Sequence, residues 1–265
     1  MQSRSAGFSL IELMIALAAG LIVSTAIVAF MMSSFKSNAE YVQSTRLTQE
    51  LRNSLDLAVR DLQRAGYDDD SLRYLGSQNI SPFSPICIAT SAAPTVCLGI
   101  GGGAGNCVIY AYDRTYPNGS STASGTAGTL DVGNGEVRGL RLASATINGN
   151  TVGVIEYAVS EGTTKPACNG AAVDYSTTPA DCNATSLWCP LSDTGKLDIT
   201  SFTIADNGNS MSDAENSMGM RRLDVALVGR IAGTTDFTRD VRSSIKVRSD
   251  CIRVIADFGE CDASP

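Results

Sequence analysis

The chain has 265 residues, of which 20 are basic, 27 are acidic and none is histidine, which gives a formal net charge of −7. This acidic surplus offers no basic face for nucleic-acid phosphates, so we expect no nucleic-acid partner. Without histidine, Cys₂His₂ zinc sites, Cys-His nucleophiles and the Ser-His-Asp triad are excluded. A hydrolase would need an Asp/Glu mechanism, for which we find no arrangement of residues, so we expect a protein that is not an enzyme.

The N-terminal region contains a candidate membrane span. Residues 13–32 carry no charge, and a helix of that length covers about 30 Å, the thickness of the hydrocarbon core of a bilayer. The sequence at its end, MMSSFK, is a poor site for signal peptidase, so we predict that the span is retained. Arg4 precedes the span, and this charge favours a cytoplasmic N-terminus.

One acidic residue lies inside this apolar region. Glu12 follows Gly7 by five positions, and a carboxylate within a membrane costs about 2.5 kcal/mol or more unless it finds a partner. In one interpretation, Glu12 lies close enough to the helix start to reach the headgroups. In the other, cleavage after Gly7 creates an amine on Phe8, which pairs with Glu12 of the same or a neighbouring chain.

Residues 7–13, which read GFSLIEL, resemble the type III signal of type IV pilins and type II secretion pseudopilins. This resemblance implies that residues 1–7 are a leader and that a prepilin peptidase cleaves between Gly7 and Phe8 at the cytoplasmic face. It also implies that Phe8 is then N-methylated, that residues 8–35 form a transmembrane and polymerisation helix, and that Glu12 acts in assembly.

The region from Lys36 to Ala65 contains no proline and no glycine. Its apolar residues recur three or four positions apart, as on one face of a helix: Leu47, Leu51, Leu55, Ala58, Leu62 and Ala65. We therefore predict that the span continues as an amphipathic helix over residues 36–66. Gly66, which lacks a Cβ, is the predicted stop.

After Gly66 the apolar period becomes that of β-strands. Strands are predicted at residues 107–112, 151–159, 197–204, 223–228 and 241–247, whereas residues 77–106 and 117–135 have the composition of loops. The predicted fold is α+β and pilin-like. A long N-terminal helix packs on an antiparallel β-sheet head, which comprises residues 67–265 and is periplasmic and stapled by disulfides.

All the cysteines lie in this head, a distribution typical of an oxidising compartment. The cysteines fall into two groups of three and a final pair. If the final pair forms a local bridge, one cysteine in each group of three lacks a partner within its own group. At least one long-range bridge between the first and second groups is then expected, without a choice of pair. The three groups are Cys87, Cys97 and Cys107, then Cys168, Cys182 and Cys189, then Cys251 and Cys261.

One loop has alternating oxygen ligands of the kind that can wrap calcium, although a solvated turn is the preferred interpretation. Its candidate ligands are Asp206, Asn207, Asn209 and Asp213. We predict no cofactor and no metal.

Residues 62–67 (LQRAGY) and 222–225 (RLDV) are similar to the PilW type of minor pilin. That resemblance implies a role in priming type IV pilus assembly and a place near the tip. Its implied partners are other minor pilins, the major pilin, the prepilin peptidase, the inner-membrane assembly platform and a tip adhesin. The J-type minor pseudopilin of type II secretion, which uses the same leader, is the alternative.

Overall fold

The computed structural model describes residues 7, 9–74, 81–91, 103–114, 125–147, 149–175, 187–212, 217–233, 237–248 and 251–253. The chain divides into two compact units, Met1–Arg46 and Leu47–Pro265. A single helix, α1 (Leu10–Leu62), contributes to both units. The strands all belong to the second unit, which we call the head.

Within the head, α1 buries the face that the apolar spacing predicts. Every residue of the predicted stripe is at most 5% exposed: Leu47, Leu51, Leu55, Ala58, Leu62 and Ala65. The helix ends at Leu62, short of Gly66, because the N–H groups of Arg64 and Ala65 bond to carbonyls three residues back and tighten the turn. Gly66 then adopts a φ of 75°, and its N–H donates to the Ala111 carbonyl at 2.8 Å.

The first sheet has the strand order β1-β3-β4-β5-β6, and all its neighbours are antiparallel. Its strands are β1 (Ile86–Ala89), β3 (Cys107–Ala111), β4 (Val137–Ile147), β5 (Asn150–Val159) and β6 (Trp188–Pro190).

The second sheet has the order β11-β10-β7-β2 and is also antiparallel, and a third, smaller sheet has the order β12-β9-β8. The strands of the second are β2 (Gly103–Gly105), β7 (Leu197–Asp206), β10 (Arg222–Ile231) and β11 (Thr238–Lys246). The strands of the third are β8 (Asn209–Ser212), β9 (Ser217–Met220) and β12 (Cys251–Arg253).

The main core lies between α1 and the two larger sheets. Leu51 of the helix belongs to one buried cluster with Val108 and Ile155 of the first sheet and with Ile204 and Val225 of the second. A separate cluster covers the opposite face of the first sheet and includes Cys107, Ile109, Cys168 and Trp188. The first sheet is therefore covered on both faces, and only one of these faces contacts the helix.

The α+β prediction and all five predicted strands are confirmed, in β3, β5, β7, β10 and β11. The prediction that residues 77–106 form a loop is wrong, because β1 and β2 lie in this range. Because prolines flank β1 and glycines occur in β2, both strands had the composition of a loop. A Cβ on Gly105 would lie 2.2 Å from the Ala89 carbonyl oxygen, so close strand approach requires glycine there.

Candidate processing and assembly site

The predicted cleavage site lies just before the first turn of α1. Gly7 is exposed, and among the described residues no atom lies within 4 Å of the position that a Cβ would take. Phe8 lies outside the described residues. The Leu13 N–H donates to the Ser9 carbonyl at 3.1 Å, so helical hydrogen bonding begins after the junction. Gly7 is thus in non-helical backbone that a peptidase can reach.

Glu12 lies in the first turn of α1 and is exposed. A carboxylate at this end of a helix is stabilised by the helix dipole. Along the described chain the first ion pair is Lys36–Glu40, whose Nζ and Oε1 atoms are 4.0 Å apart. The exposed position of Glu12 in the first turn of α1 fits both of its interpretations, namely a headgroup-facing carboxylate and a partner for an N-terminal amine.

The helix around Glu12 has no protein cover. Residues 9–39 are all exposed, including Leu10 at 79% and Phe30 at 76%. The most apolar window of α1 has a mean hydropathy of 2.5 and no buried residue. A helix that is apolar on all sides is stable only when a membrane or other helices surround it. The structure is therefore consistent with membrane anchoring through the N-terminal part of α1.

A polar clasp fixes the end of α1 to the first sheet. The Asp61 carboxylate accepts hydrogen bonds from the hydroxyls of Tyr110, at 2.5 Å, and Tyr112, at 2.9 Å. Arg138 Nη1 lies 3.4 Å from Asp61 Oδ1, and its guanidinium stacks on the Tyr112 ring at 4.9 Å. Burial, followed by the charge of Asp61, raises the pKa of both tyrosines, so both hydroxyls stay protonated and donate.

The cysteines include one long-range disulfide. Cys107 in β3 is bonded to Cys168, 61 positions later in the chain, and both are 0% exposed. This pair joins the first cysteine group to the second, as the parity argument predicts. Cys87 and Cys189 are also disulfide-bonded. Cys97, Cys182 and Cys261 lie outside the described residues.

A second polar cluster lies on the outer face of the first sheet, and the sequence did not point to it. The Nε of Arg141 donates to Glu156 Oε2 at 2.7 Å, and the two side chains are 5% and 1% exposed. The Tyr175 hydroxyl donates to the other carboxylate oxygen of Glu156 at 2.6 Å. The available signal was an arginine that alternates with Leu140 and Leu142, which face the main core, in a strand that was not predicted.

The calcium candidates do not converge in the part of the loop that the structure describes. The Oδ2 atom of Asp206 lies 3.4 Å from Arg221 Nη1, and both side chains are buried. Asn207 donates instead to Asp224 at 2.5 Å. The side chain of Asn209 and all of Asp213 lie outside the described residues. The described residues contain no acidic or cysteine group arranged to hold a metal ion.

Comparison with known families identifies the type of chain. Residues 2–28 match the prokaryotic N-terminal methylation motif, and residues 40–247 match prepilin peptidase-dependent protein B. No curated protein and no solved structure matches. The first match contains Gly7, Phe8 and Glu12, and the second contains the buried part of α1 and most of the head. The chain is therefore a type IV pilin-like protein with a prepilin signal, and it belongs to the prepilin peptidase-dependent protein B family.

Proposed function

We propose that this chain is a minor type IV pilin of the PilW type, which takes part in priming pilus assembly and is incorporated near the filament tip. Its role is then structural rather than enzymatic. It resides in the inner membrane as a single-pass protein with a cytoplasmic N-terminus and a periplasmic head. After cleavage between Gly7 and Phe8 it enters the filament through α1.

The observation that carries this proposal is the fully exposed apolar part of α1 directly after a prepilin signal. Residues 13–32 need an apolar surrounding, and a membrane provides it before assembly while helices of neighbouring pilins provide it afterwards. The head has its own buried core and needs no such surrounding. The Cys107–Cys168 bridge supports a head in an oxidising compartment.

The partners follow from this architecture. The prepilin peptidase acts on the Gly7 junction, and the motif match over residues 2–28 supports that partner. We propose that α1 then packs against the helices of other minor pilins and the major pilin, and that the inner-membrane assembly platform extracts the chain. A tip adhesin is the proposed partner of the exposed head surface.

A deletion strain tests the function. We expect deletion of the gene to abolish or strongly reduce surface pili, with no change in secreted type II substrates, and the wild-type gene to restore piliation. A Gly7→Leu variant should keep its leader, because a bulky residue at the junction blocks cleavage, and should fail to restore pili. N-terminal sequencing of the protein from membranes then reports Phe8 for the wild type and Met1 for the variant.

The same strain separates the alternative. Loss of type II secretion with normal pili would assign the chain as a J-type minor pseudopilin. Normal pili and normal secretion in a strain that also lacks redundant minor pilins would contradict both assignments. Crosslinking of the full-length protein in membranes, followed by peptide identification, should recover other minor pilins as its main partners.

A further inference from the structure

The outer face of the first sheet carries a row of three side chains from three adjacent strands. Cys107 in β3 is the direct cross-strand partner of Arg141 in β4, which is the direct partner of Glu156 in β5. The guanidinium of Arg141 also lies 4.2 Å over the ring of Trp188. The ion pair and the cysteine are thus placed next to each other by strand register alone.

A segment without regular strands, residues 165–175, lies over this row. Arg141 Nη1 donates to the carbonyls of Cys168, at 3.1 Å, and Gly170, at 2.9 Å, while Nη2 donates to Ala171 at 3.1 Å. Trp188 Nε1 donates to the Ala167 carbonyl at 3.2 Å. The guanidinium, fixed by Glu156, therefore holds the backbone at Cys168 and just after it, while Trp188 holds the residue before it.

The choice of sulfur partner follows from this arrangement. Because Arg141 is the cross-strand neighbour of Cys107, a segment whose carbonyls bind Arg141 brings Cys168 next to Cys107. Cys87 lies in the same buried cluster, on β1 opposite Ile109, and is a competing thiol before oxidation. Two thiols that are held together react faster than thiols that must first meet, because their effective concentration is higher. When residues 165–175 are bound to Arg141, Cys168 therefore reacts with Cys107 in preference to Cys87.

We propose that Arg141 is a positioning residue for disulfide formation in the head. By binding backbone carbonyls within residues 165–175, it holds Cys168 next to Cys107, so that Cys168 is joined to Cys107 rather than to another thiol. This inference concerns disulfide formation and does not depend on the pilus role.

The chemistry requires a two-electron oxidant that carries a disulfide, either a thiol–disulfide oxidase or oxidised glutathione. Both sulfurs are 0% exposed once the segment is seated, so the oxidant reacts earlier. The Cys168 thiolate attacks the oxidant, a mixed disulfide forms, and one oxidant thiolate leaves. When the segment seats, the Cys107 thiolate attacks Cys168 Sγ and the second oxidant thiolate leaves. Two cysteine thiols lose two protons and two electrons, and the oxidant disulfide becomes two thiols.

The order of attack follows from the two locations. Cys107 lies in β3, where pairing with β1 and β4 fixes its position before residues 165–175 cover that face, so it is restricted in reaching an oxidant. Cys168 lies in a turn outside regular strands and is covered only when Arg141 binds its carbonyl. The mixed disulfide is therefore expected on Cys168.

Oxidative refolding of the full-length chain in detergent tests the proposal. Reduced, unfolded protein is refolded with oxidised glutathione, quenched at intervals and mapped by mass spectrometry without reduction. We expect Arg141→Gln to form the Cys107–Cys168 bridge about fivefold more slowly or worse, a factor that corresponds to roughly 1 kcal/mol. Glutathione on Cys168 and bridges to Cys87 should increase. Arg242→Gln, at an exposed position in β11 of the second sheet, should keep the wild-type pairing rate.

Two further comparisons keep the test decisive even if Arg141→Gln folds poorly. Cys107→Ser should trap glutathione on Cys168, whereas Cys168→Ser should leave Cys107 unmodified at the same times. Arg141→Lys should give little rescue, because one ammonium cannot bind three carbonyls in the guanidinium geometry. A wild-type bridging rate in Arg141→Gln, or equal glutathione on Cys107 and Cys168 in the two serine variants, would overturn the proposal.

Discussion

The two parts of α1 have the same helical backbone and opposite surroundings. Leu21, in the N-terminal part, is 62% exposed, while Leu51, in the head, is 0% exposed. Leu51 is stabilised by the chain's own sheets, whereas Leu21 gains that stabilisation only from a membrane or from other subunits. The head can therefore fold as a unit, and the N-terminal part carries the interactions that a filament needs.

The largest expected effect on stability comes from truncating a leucine in the head part of α1, compared with the same truncation in its N-terminal part. Leu51→Ala should lower the free energy of unfolding of the head by about 2–5 kcal/mol, because it leaves a cavity between α1 and both sheets. Leu21→Ala should leave the head unchanged within about 0.5 kcal/mol. Denaturant unfolding in detergent, followed by the fluorescence of Trp188, measures both. Equal losses in the two variants would contradict the division of the helix.

A smaller effect is expected from the clasp at the end of α1. Asp61→Ala removes the acceptor of two tyrosine hydroxyls, one of them on the fully buried Tyr110, and an unsatisfied buried donor costs about 1–3 kcal/mol. Asp56→Ala, on an exposed part of the same helix, is the control and should cost less than about 0.5 kcal/mol. Tyr110→Phe in the Asp61→Ala background should recover part of the loss, since it removes the orphaned hydroxyl.

A pH-dependent effect is expected at Glu136, which is fully buried. Burial raises its pKa from 4.5 to about 7, although the backbone N–H groups of Asp131 and Arg114 oppose this shift and the charges of Asp113 and Asp131 add to it. The folded state then holds the proton more tightly than the unfolded state. The contribution of Glu136 to stability is therefore highest below pH 4.5 and is lost as the pH rises to about 7.

Glu136→Gln tests this dependence. Glutamine keeps one oxygen acceptor and loses the other, so the variant should be less stable at pH 5 but should change less between pH 5 and pH 7. Glu161→Gln, at an exposed position, should retain the wild-type dependence of the unfolding free energy on pH. Midpoints of urea unfolding across this pH range provide the measurement, and a slope that is identical in all three proteins would refute the assignment.

The sequence predicted the parts of the molecule that have a period or a motif. The stripe from Leu47 to Ala65 was correct because a helix face repeats at fixed spacing, and the prepilin signal at Gly7 needs no tertiary context. The Asp61 clasp and the Arg141 cluster were not predicted, because their members lie far apart in the chain and meet only when helix, strands and turn pack together. The parity argument predicted a bridge between the first and second cysteine groups, but the choice of Cys107 and Cys168 depends on the turn at residues 165–175.

The smallest expected effect on the head, and the most specific effect on assembly, comes from Glu12→Gln. This exposed residue lies outside the head unit, so the free energy of unfolding of the head should change by less than about 0.5 kcal/mol. Size and helix propensity are nearly kept, and membrane insertion should be normal because an amide costs less in the membrane than a carboxylate. Priming should nevertheless fail if the carboxylate pairs with the Phe8 amine of the same or a neighbouring chain. Counting pili in a strain without redundant minor pilins measures this, with Glu40→Gln, which removes the next carboxylate along α1, as the matched control. Wild-type piliation with Glu12→Gln would favour the headgroup-facing interpretation.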